Sequence, residues 1–240
     1  LLFSKLQNYA LQYRDNMTLQ DTNADRKAMK LYYMPTTRAV RPRWLLEEMG
    51  IAYDLIRVSM TMTKQPEYKQ LHPHGKVPIL VDGEVTIFES GAICAYLADK
   101  YIHMGFAPAP ESPERAYYLQ WLFYAAVTLE PPVEHYMFNV LPNLPEKLLP
   151  NLIRSEISKQ ECRQWFDRVA QPLREILAGK NYLVANKFSS ADIVTGGVVL
   201  WAKKLGMLSD NDPLSRYIND LMQRPAFMRA DEDLYAKITP

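Results

Sequence analysis

The sequence predicts an α/β unit followed by an all-helical one, and three observations carry that expectation. Strand-like and helix-like stretches alternate from Lys30 to Tyr101 in the order βαβ and then ββα. A proline-rich stretch, Ala107-Pro108-Ala109-Pro110 with Ser112-Pro113, then interrupts the chain, and nothing beyond it alternates in the two-residue period of a strand. With 240 residues, 48% hydrophobic and 23% charged, the chain has material for one sizeable core or two modest ones.

Each element has a local cause. Leu31-Tyr32-Tyr33-Met34 is a short aromatic run stopped by Pro35, a first strand in which Tyr32 and Tyr33 read as sheet-packing aromatics. Trp44, Leu45, Leu46 and Met49 form a helical stripe ending at Gly50, which suits a left-handed cap. Residues 53–58 read as a second strand and 65–71 as a short helix. Residues 77–81 read as a third strand that turns at Asp82-Gly83 into a fourth, 85–88. Glu89-Ser90 opens a helix with Ile93, Tyr96, Leu97 and Tyr101 at three- and four-residue spacing. The sum is a small mixed four-stranded sheet covered by helices.

Beyond the proline-rich stretch, the pattern predicts helices over 114–139, 152–177, 191–205 and 213–223. Ser189-Ser190-Ala191-Asp192 has the form of a capping box, in which the Ser oxygen takes a first-turn N–H and the Asp reaches back to the cap. The expected division is a loose extension over 1–28, an α/β domain over 29–105, a linker over 106–112 and a helical domain over 113–240. The extension is expected to be loose because it mixes Asn16, Asp21, Asn23, Asp25 and Arg26 with few apolar side chains. Met29, directly before the first strand, is a candidate native start.

Composition narrows the function classes. Twenty-eight basic residues against 27 acidic ones leave a formal charge of +1, without the electrostatic footprint of a phosphate-backbone binder, so no nucleic acid partner is expected. Cys94 and Cys162 form no CxxC pair and no zinc spacing, which fits a reducing compartment. His72 and His74 flank Pro73 without a third ligand and read as loop residues, and His103 and His135 have no evident partner, so no metal is expected. No apolar run approaches the roughly 18 residues that span a bilayer. A cytoplasmic protein off the membrane is the expectation.

Four segments together resemble the soluble glutathione transferase family, of bacterial type, with features of its zeta-, Nu- and theta-like members. They are KLYYMPTTRAVRPRWLLEEMG, HPHGKVPIL, FESGAICAYLADKY and NKFSSADI, in that order and at that separation, and the match covers nearly everything from Met29 onward. The resemblance implies a thioredoxin-like N-terminal domain and a helical-bundle C-terminal domain. It further implies glutathione as co-substrate, a homodimer, and conjugation or thiol chemistry on a small hydrophobic electrophile.

Residue by residue, the resemblance assigns Pro78 to the proline that opens the third strand in cis, presenting the backbone of Val77 to the cysteinyl part of glutathione as an added strand would be presented. Glu89 and Ser90 fall to the γ-glutamyl end, where free N–H groups and the positive helix end suit a carboxylate. Lys64 and Lys76 match lysines that theta-like members direct at the glycine carboxylate. Thr36 stands where zeta-like members carry Ser and Nu-like members Thr; Thr37 is the next candidate, and Arg38 adds charge if it turns inward. Met34 stands where theta-like members have their Ser, which counts against that subclass. Read without the family, Pro78 fits any strand-opening proline, Ser90 a plain N-cap, both lysines solvated side chains, and Thr36-Thr37 a polar helix cap.

Something at this loop must lower the pKa of the glutathione thiol, and members of the family the chain resembles use a Tyr, Ser or Cys there. A free thiol with a pKa near 8.5 is only a few per cent ionised at neutral pH, and a hydroxyl donated to a charged acceptor is worth roughly 1.5–3 kcal/mol. The electrophile is expected against Tyr117, Trp121 and Tyr124, spaced along one helix face, an arrangement that also suits ordinary core. Three functions stay open: a glutathione S-transferase, a glutathione-dependent disulfide or peroxide reductase of the Nu-like kind, and a non-catalytic interaction module. The intact Glu-Ser pair and proline loop argue against the last.

Overall fold

The computed structural model describes residues 29–140 and 155–231. The expected N-terminal extension, and with it the question of a start at Met29, lies outside the described residues, as does the beginning of the helix expected from residue 152.

Four short strands form one mixed sheet in the order β2-β1-β3-β4: β1 Lys30–Tyr33, β2 Asp54–Arg57, β3 Ile79–Asp82 and β4 Val85–Phe88. β1 runs parallel to β2, and the β1–β3 and β3–β4 pairs are antiparallel. The parallel pair needs a crossover, supplied by α1, Val40–Met49, which stops at Gly50. Gly50 adopts φ 64 and returns its N–H to the Leu46 carbonyl, the cap expected from the sequence. A short helix α2, Pro66–Leu71, joins β2 to β3, and α3, Ser90–Lys100, follows β4.

Alternation along β1 sends Leu31 and Tyr33 into full burial and leaves Tyr32 half-buried, edge-on to Tyr68 of α2 at 6.0 Å. On one side Leu31, Leu45, Leu46, Leu80, Ile93 and Leu97 are sealed from water, each side chain worth roughly 1.5–3 kcal/mol of burial. On the other, Val58, Tyr68 and Ile79 form a smaller cluster.

The second half is helical: α4 Glu114–Tyr124, α5 Glu130–Val140, α6 Glu156–Leu177, α7 Ser190–Lys204, α8 Pro213–Met222 and α9 Pro225–Ala230. α7 is its buried centre. The capping box is present, with the Ser189 N–H donating to Asp192 Oδ2 at 2.9 Å. Two further donors, the Leu183 N–H at 2.9 Å and the Tyr217 hydroxyl at 3.0 Å, reach Asp192 Oδ1.

Three expectations need correction. The helix expected without a break over 114–139 is divided by a wide turn of π-helix, Ala125–Leu129, in which the Glu130 N–H returns to the Ala125 carbonyl. Pro131 and Pro132 have no N–H to offer, so the carbonyls behind them cannot be met at α-helical spacing. The third strand begins at Ile79, two residues later than expected. α9 was not foreseen: it is only six residues long, and tertiary contact with α1 supports it. There the Trp44 and Phe227 rings meet edge to face at 4.9 Å, Arg224 grips the Glu48 carboxylate with two nitrogens at 2.6 and 2.9 Å, and Arg229 reaches Glu47 at 2.8 Å. Residues 184 and 187 also make an isolated antiparallel bridge in the otherwise helical half.

Candidate functional site

Strand register gathers the sequence-predicted segments. Tyr32 pairs with Ile79, and Ile79 with Phe88, so the next row at that end of the sheet holds Tyr33, Pro78 and Glu89. Tyr33 also pairs with Arg57, the last residue of β2. The loop after β1, the turn before β3 and the corner after β4 therefore open side by side, across roughly 10 Å at the usual spacing of neighbouring strands.

The loop after β1 is built on Thr37. Its hydroxyl donates to the Met34 carbonyl at 2.6 Å and accepts the Ala39 N–H at 3.3 Å, closing the turn that starts α1. Thr36 is exposed at φ 62, left-handed territory that a β-branched residue rarely enters, and among the described residues its hydroxyl meets no partner. Val77 stands outside the strand ladder, and the Val77–Pro78 peptide is cis. Glu89, exposed at φ 74, leads into the buried Ser90, the first residue of α3. Two of the four non-glycine residues with positive φ among the described residues, Thr36 and Glu89, thus lie in the segments that open at this end of the sheet.

The turn before β3 is anchored from below. The Tyr68 hydroxyl donates to the Lys76 carbonyl at 2.9 Å, and burial, with the Tyr32 ring beside it, pushes Tyr68 up to about 12, so it remains a donor. Gly75, at φ 57, lies so close to Thr63 that a Cβ there would stand 2.3 Å from the Thr63 carbonyl oxygen. That approach seats the segment bearing Lys64 against the one bearing Lys76. Both lysines are exposed and make no ion pair among the described residues.

Beneath the row lies a charge cluster that joins the two halves of the chain. Arg41, 2% exposed, places Nη2 2.6 Å from Glu130 Oε1 and Nη1 3.3 Å from both Glu130 Oε2 and the Ser90 hydroxyl oxygen. Arg38 adds Nε to Glu130 Oε1 at 2.9 Å and Nη2 to Glu134 Oε1 at 3.1 Å. Both guanidiniums lie over the Trp201 ring, at 5.0 and 5.8 Å. Burial alone would raise the Glu130 carboxyl, but the Arg41 and Arg38 charges outweigh it and hold it below the usual carboxylate range. A Cβ on Gly197 would stand 2.6 Å from Arg41 Nε, so that glycine is the space into which the arginine fits. Arg38 thus points at the helical half, with its charge committed to two carboxylates.

The three aromatics expected to meet an electrophile do not line one surface. Trp121 is 3% exposed and stands edge-on to Tyr124 at 5.3 Å, and the Tyr124 hydroxyl donates to the Val169 carbonyl at 2.8 Å; both face the helical interior. Tyr117 is 59% exposed. Among the described residues no three His, Cys, Asp or Glu side chains gather as metal ligands, and no helix is long and apolar enough to cross a membrane. Both cysteines are buried. Burial pushes the Cys94 thiol up to about 12, the Arg41 charge opposing it only in part, and Cys162 is also raised. Neither offers a thiolate near pH 7.

Sequence reasoning missed Arg41, Glu130, Gly197 and Trp201. One signal was available. Arg41 stands three and four residues before Trp44 and Leu45, on the apolar face of its helix, where a charge needs a buried partner. Glu130 follows it by 89 positions and carries no local mark.

Comparison with known proteins agrees with this fold. Residues 27–99 match the glutathione S-transferase N-terminal domain and residues 119–225 the C-terminal domain. Glutathione S-transferase F9 of Arabidopsis thaliana is 32% identical over 195 residues, covering 76% of this chain and 86% of the relative. The disulfide-bond oxidoreductase YfcG of Escherichia coli K12 is 30% identical over 207 residues, covering 82% and 91%. The glutathione transferase URE2P6 of Phanerochaete chrysosporium, solved in complex with oxidized glutathione, superposes with a TM-score of 0.75 at 25% identity over 88% of this chain and 97% of that one. With both domain matches in chain order, relatives 30–32% identical over most of their length, and a thioredoxin-like sheet followed by helices, the chain belongs to the glutathione S-transferase family.

Proposed function

We propose that the chain binds glutathione along the strand-end row and directs its sulfur, as thiolate, at a small hydrophobic electrophile. One observation carries this reading: Ser90. Its oxygen accepts from Arg41 Nη1, so its proton is left to donate, from a buried position at a helix start where further N–H groups are free. A carboxylate is the complementary ligand, and the γ-glutamyl end supplies one. Glu89 beside it accepts from the ammonium group, Val77 offers its backbone to the cysteinyl unit, and Lys64 and Lys76 face the glycine carboxylate.

Glutathione supplies the nucleophilic sulfur. The chain's task is to keep that sulfur unprotonated, and Thr36 is the better donor because the Thr37 proton is already given to Met34. The Thr36 hydroxyl contributes roughly 1.5–3 kcal/mol to the charged form, or about one to two pKa units. Arg38 and Arg41, fixed on Glu130, hold the loop and Ser90 in one frame. In this reading residues 29–105 bind the tripeptide, 106–112 link, and 113–240 carry the electrophile site, with Tyr117 as its exposed member.

A second reading is glutathione-dependent disulfide reduction: the loop after β1 has no cysteine to form a mixed disulfide of its own, so two glutathione molecules would supply the two electrons and leave as glutathione disulfide while the substrate disulfide becomes two thiols. The likeness to YfcG supports it. The test is a pair of assays with glutathione at pH 7, one with an aryl halide and one with bis(2-hydroxyethyl) disulfide. Conjugation supports the first reading, reduction without conjugation the second, and calorimetry without heat at millimolar glutathione removes both.

The proposal extends to a cytoplasmic homodimer. Leu119, Phe123 and Val127, 39, 68 and 70% exposed, lie near four-residue spacing across the α4–α5 junction, an apolar stripe that a second copy would cover.

A further inference from the structure

We propose that His72 is a positioning residue for the tripeptide site, an uncharged brace whose ring joins the turn before β3 to the Phe88-Glu89 corner. The inference rests on the glutathione reading above and goes beyond it in naming what holds the two sides of the pocket at one spacing.

His72 is 3% exposed, although it lies in a loop and its neighbours Pro73 and His74 are exposed. Its backbone and ring both organise the turn. The His72 carbonyl accepts the Gly75 N–H at 2.9 Å, and Nδ1 accepts the His74 N–H at 3.2 Å. An Nδ1 that accepts carries no proton, so the ring is the neutral tautomer protonated at Nε2. The other contact is to the Phe88 ring, with centroids 4.4 Å apart and planes inclined by 34°. Phe88 immediately precedes Glu89, the residue at φ 74, and Ser90. One imidazole therefore touches both walls: the loop that presents Val77, and the corner that presents Glu89 and Ser90.

The charged and titratable groups around the ring are Glu89 from the head of α3 and His74 and Lys76 from its own loop. Burial lowers the His72 pKa most, the Glu89 charge opposing it, with His74 and Lys76 lowering it further. Protonation of Nδ1 would set two donors against each other at the His74 N–H, opening the turn. It would also draw the ring's charge toward Glu89, taking that carboxylate from the ligand's ammonium group. Acid should therefore weaken glutathione binding through His72 as pH falls below the ordinary imidazole range.

The experiment measures glutathione affinity by calorimetry from pH 7.5 to 5 for the full chain and three variants, with amide hydrogen exchange on the ligand-free protein. The wild-type Kd should rise about two- to tenfold on acidification, the equivalent of one lost hydrogen bond. H72F keeps a ring on Phe88 but has no acceptor; its Kd at pH 7.5 should lie above the wild-type value at that pH and stay flat. H72N, whose side-chain oxygen replaces Nδ1 as acceptor, should flatten the profile while protecting the His74 N–H. H74Q should keep the wild-type profile. A flat wild-type curve, a profile abolished by H74Q, or H72F matching wild type overturns the proposal. Hydrogen exchange separates this from the function: if His74 and Gly75 exchange faster in H72F but no variant binds glutathione, the brace stands and the tripeptide role falls, whereas unchanged exchange overturns the brace.

Discussion

Arg41 Nη2 lies 2.6 Å from Glu130 Oε1, a buried ion pair spanning 89 positions of sequence and both halves of the fold. Its value lies in completeness. Arg41 also donates to Ser90, and Glu130 also accepts from Arg38, so neither charge has spare capacity turned toward apolar surroundings. Removing one partner strands the other, typically costing about 3–5 kcal/mol. Glu130→Gln is expected to lower urea stability by an amount toward that range and to raise KM for glutathione, because Ser90 loses the frame that aims its hydroxyl. Unchanged stability would show that the pair is no more than an exposed one.

The same pair sets an acid limit. The folded state holds the Glu130 carboxyl below its ordinary range, while the unfolded chain releases it to about 4.3. Between those values the unfolded chain binds a proton that the folded one refuses, so this stabilisation is present above about pH 4.3 and is lost as pH falls through the folded value. Asp192 contributes with the opposite sign, since burial pushes its carboxyl up to about 6 against the pull of its hydrogen-bond donors. The stability difference between wild type and Glu130→Gln, followed from pH 7 to 3, isolates the first effect and should shrink on the acid side.

Gly197→Ala tests the fit between the halves. An Ala in a helix interior normally gains about 1 kcal/mol over Gly. Here the added methyl would stand 2.6 Å from Arg41 Nε, and overpacking of that kind costs roughly 1–3 kcal/mol. A lowered thermal midpoint is expected; a raised one would mean that Arg41 can move aside freely.

Thr36→Ala and Thr37→Ala should separate in their effects. The first should raise the pKa of bound glutathione's thiol by about one to two units, read from the ultraviolet thiolate band, with little change in stability. The second removes the bond that closes the turn onto Met34 and should destabilise the fold. If Thr37→Ala alone abolishes the band while the fold stays intact, the roles are exchanged.

Lys64→Ala and Lys76→Ala should each weaken glutathione binding about two- to fivefold, the range of an exposed ion pair, and less at high salt. An effect indifferent to salt would remove the glycine carboxylate as their partner.

Much of the fold was legible because its causes are local. The Asp82-Gly83 hairpin turn, the Gly50 cap and the Ser189–Asp192 box are each written within four residues, and each stands where the sequence put it. The segments of the candidate site were legible too. Their alignment was not, since it follows from strand register, a property of pairing between distant segments.

By itself the sequence determined the order of strands and helices, the halves they form, and the family whose motifs they carry, because hydrophobic period and turn chemistry act over a few residues. Only the tertiary structure decided that Arg41 is buried on Glu130, that Gly197 makes room for it, that the 114–139 helix divides before Pro131, and that His72 lies against Phe88. Those are meetings between side chains far apart along the chain, and what selects them is close packing and the need of every buried charge for a partner.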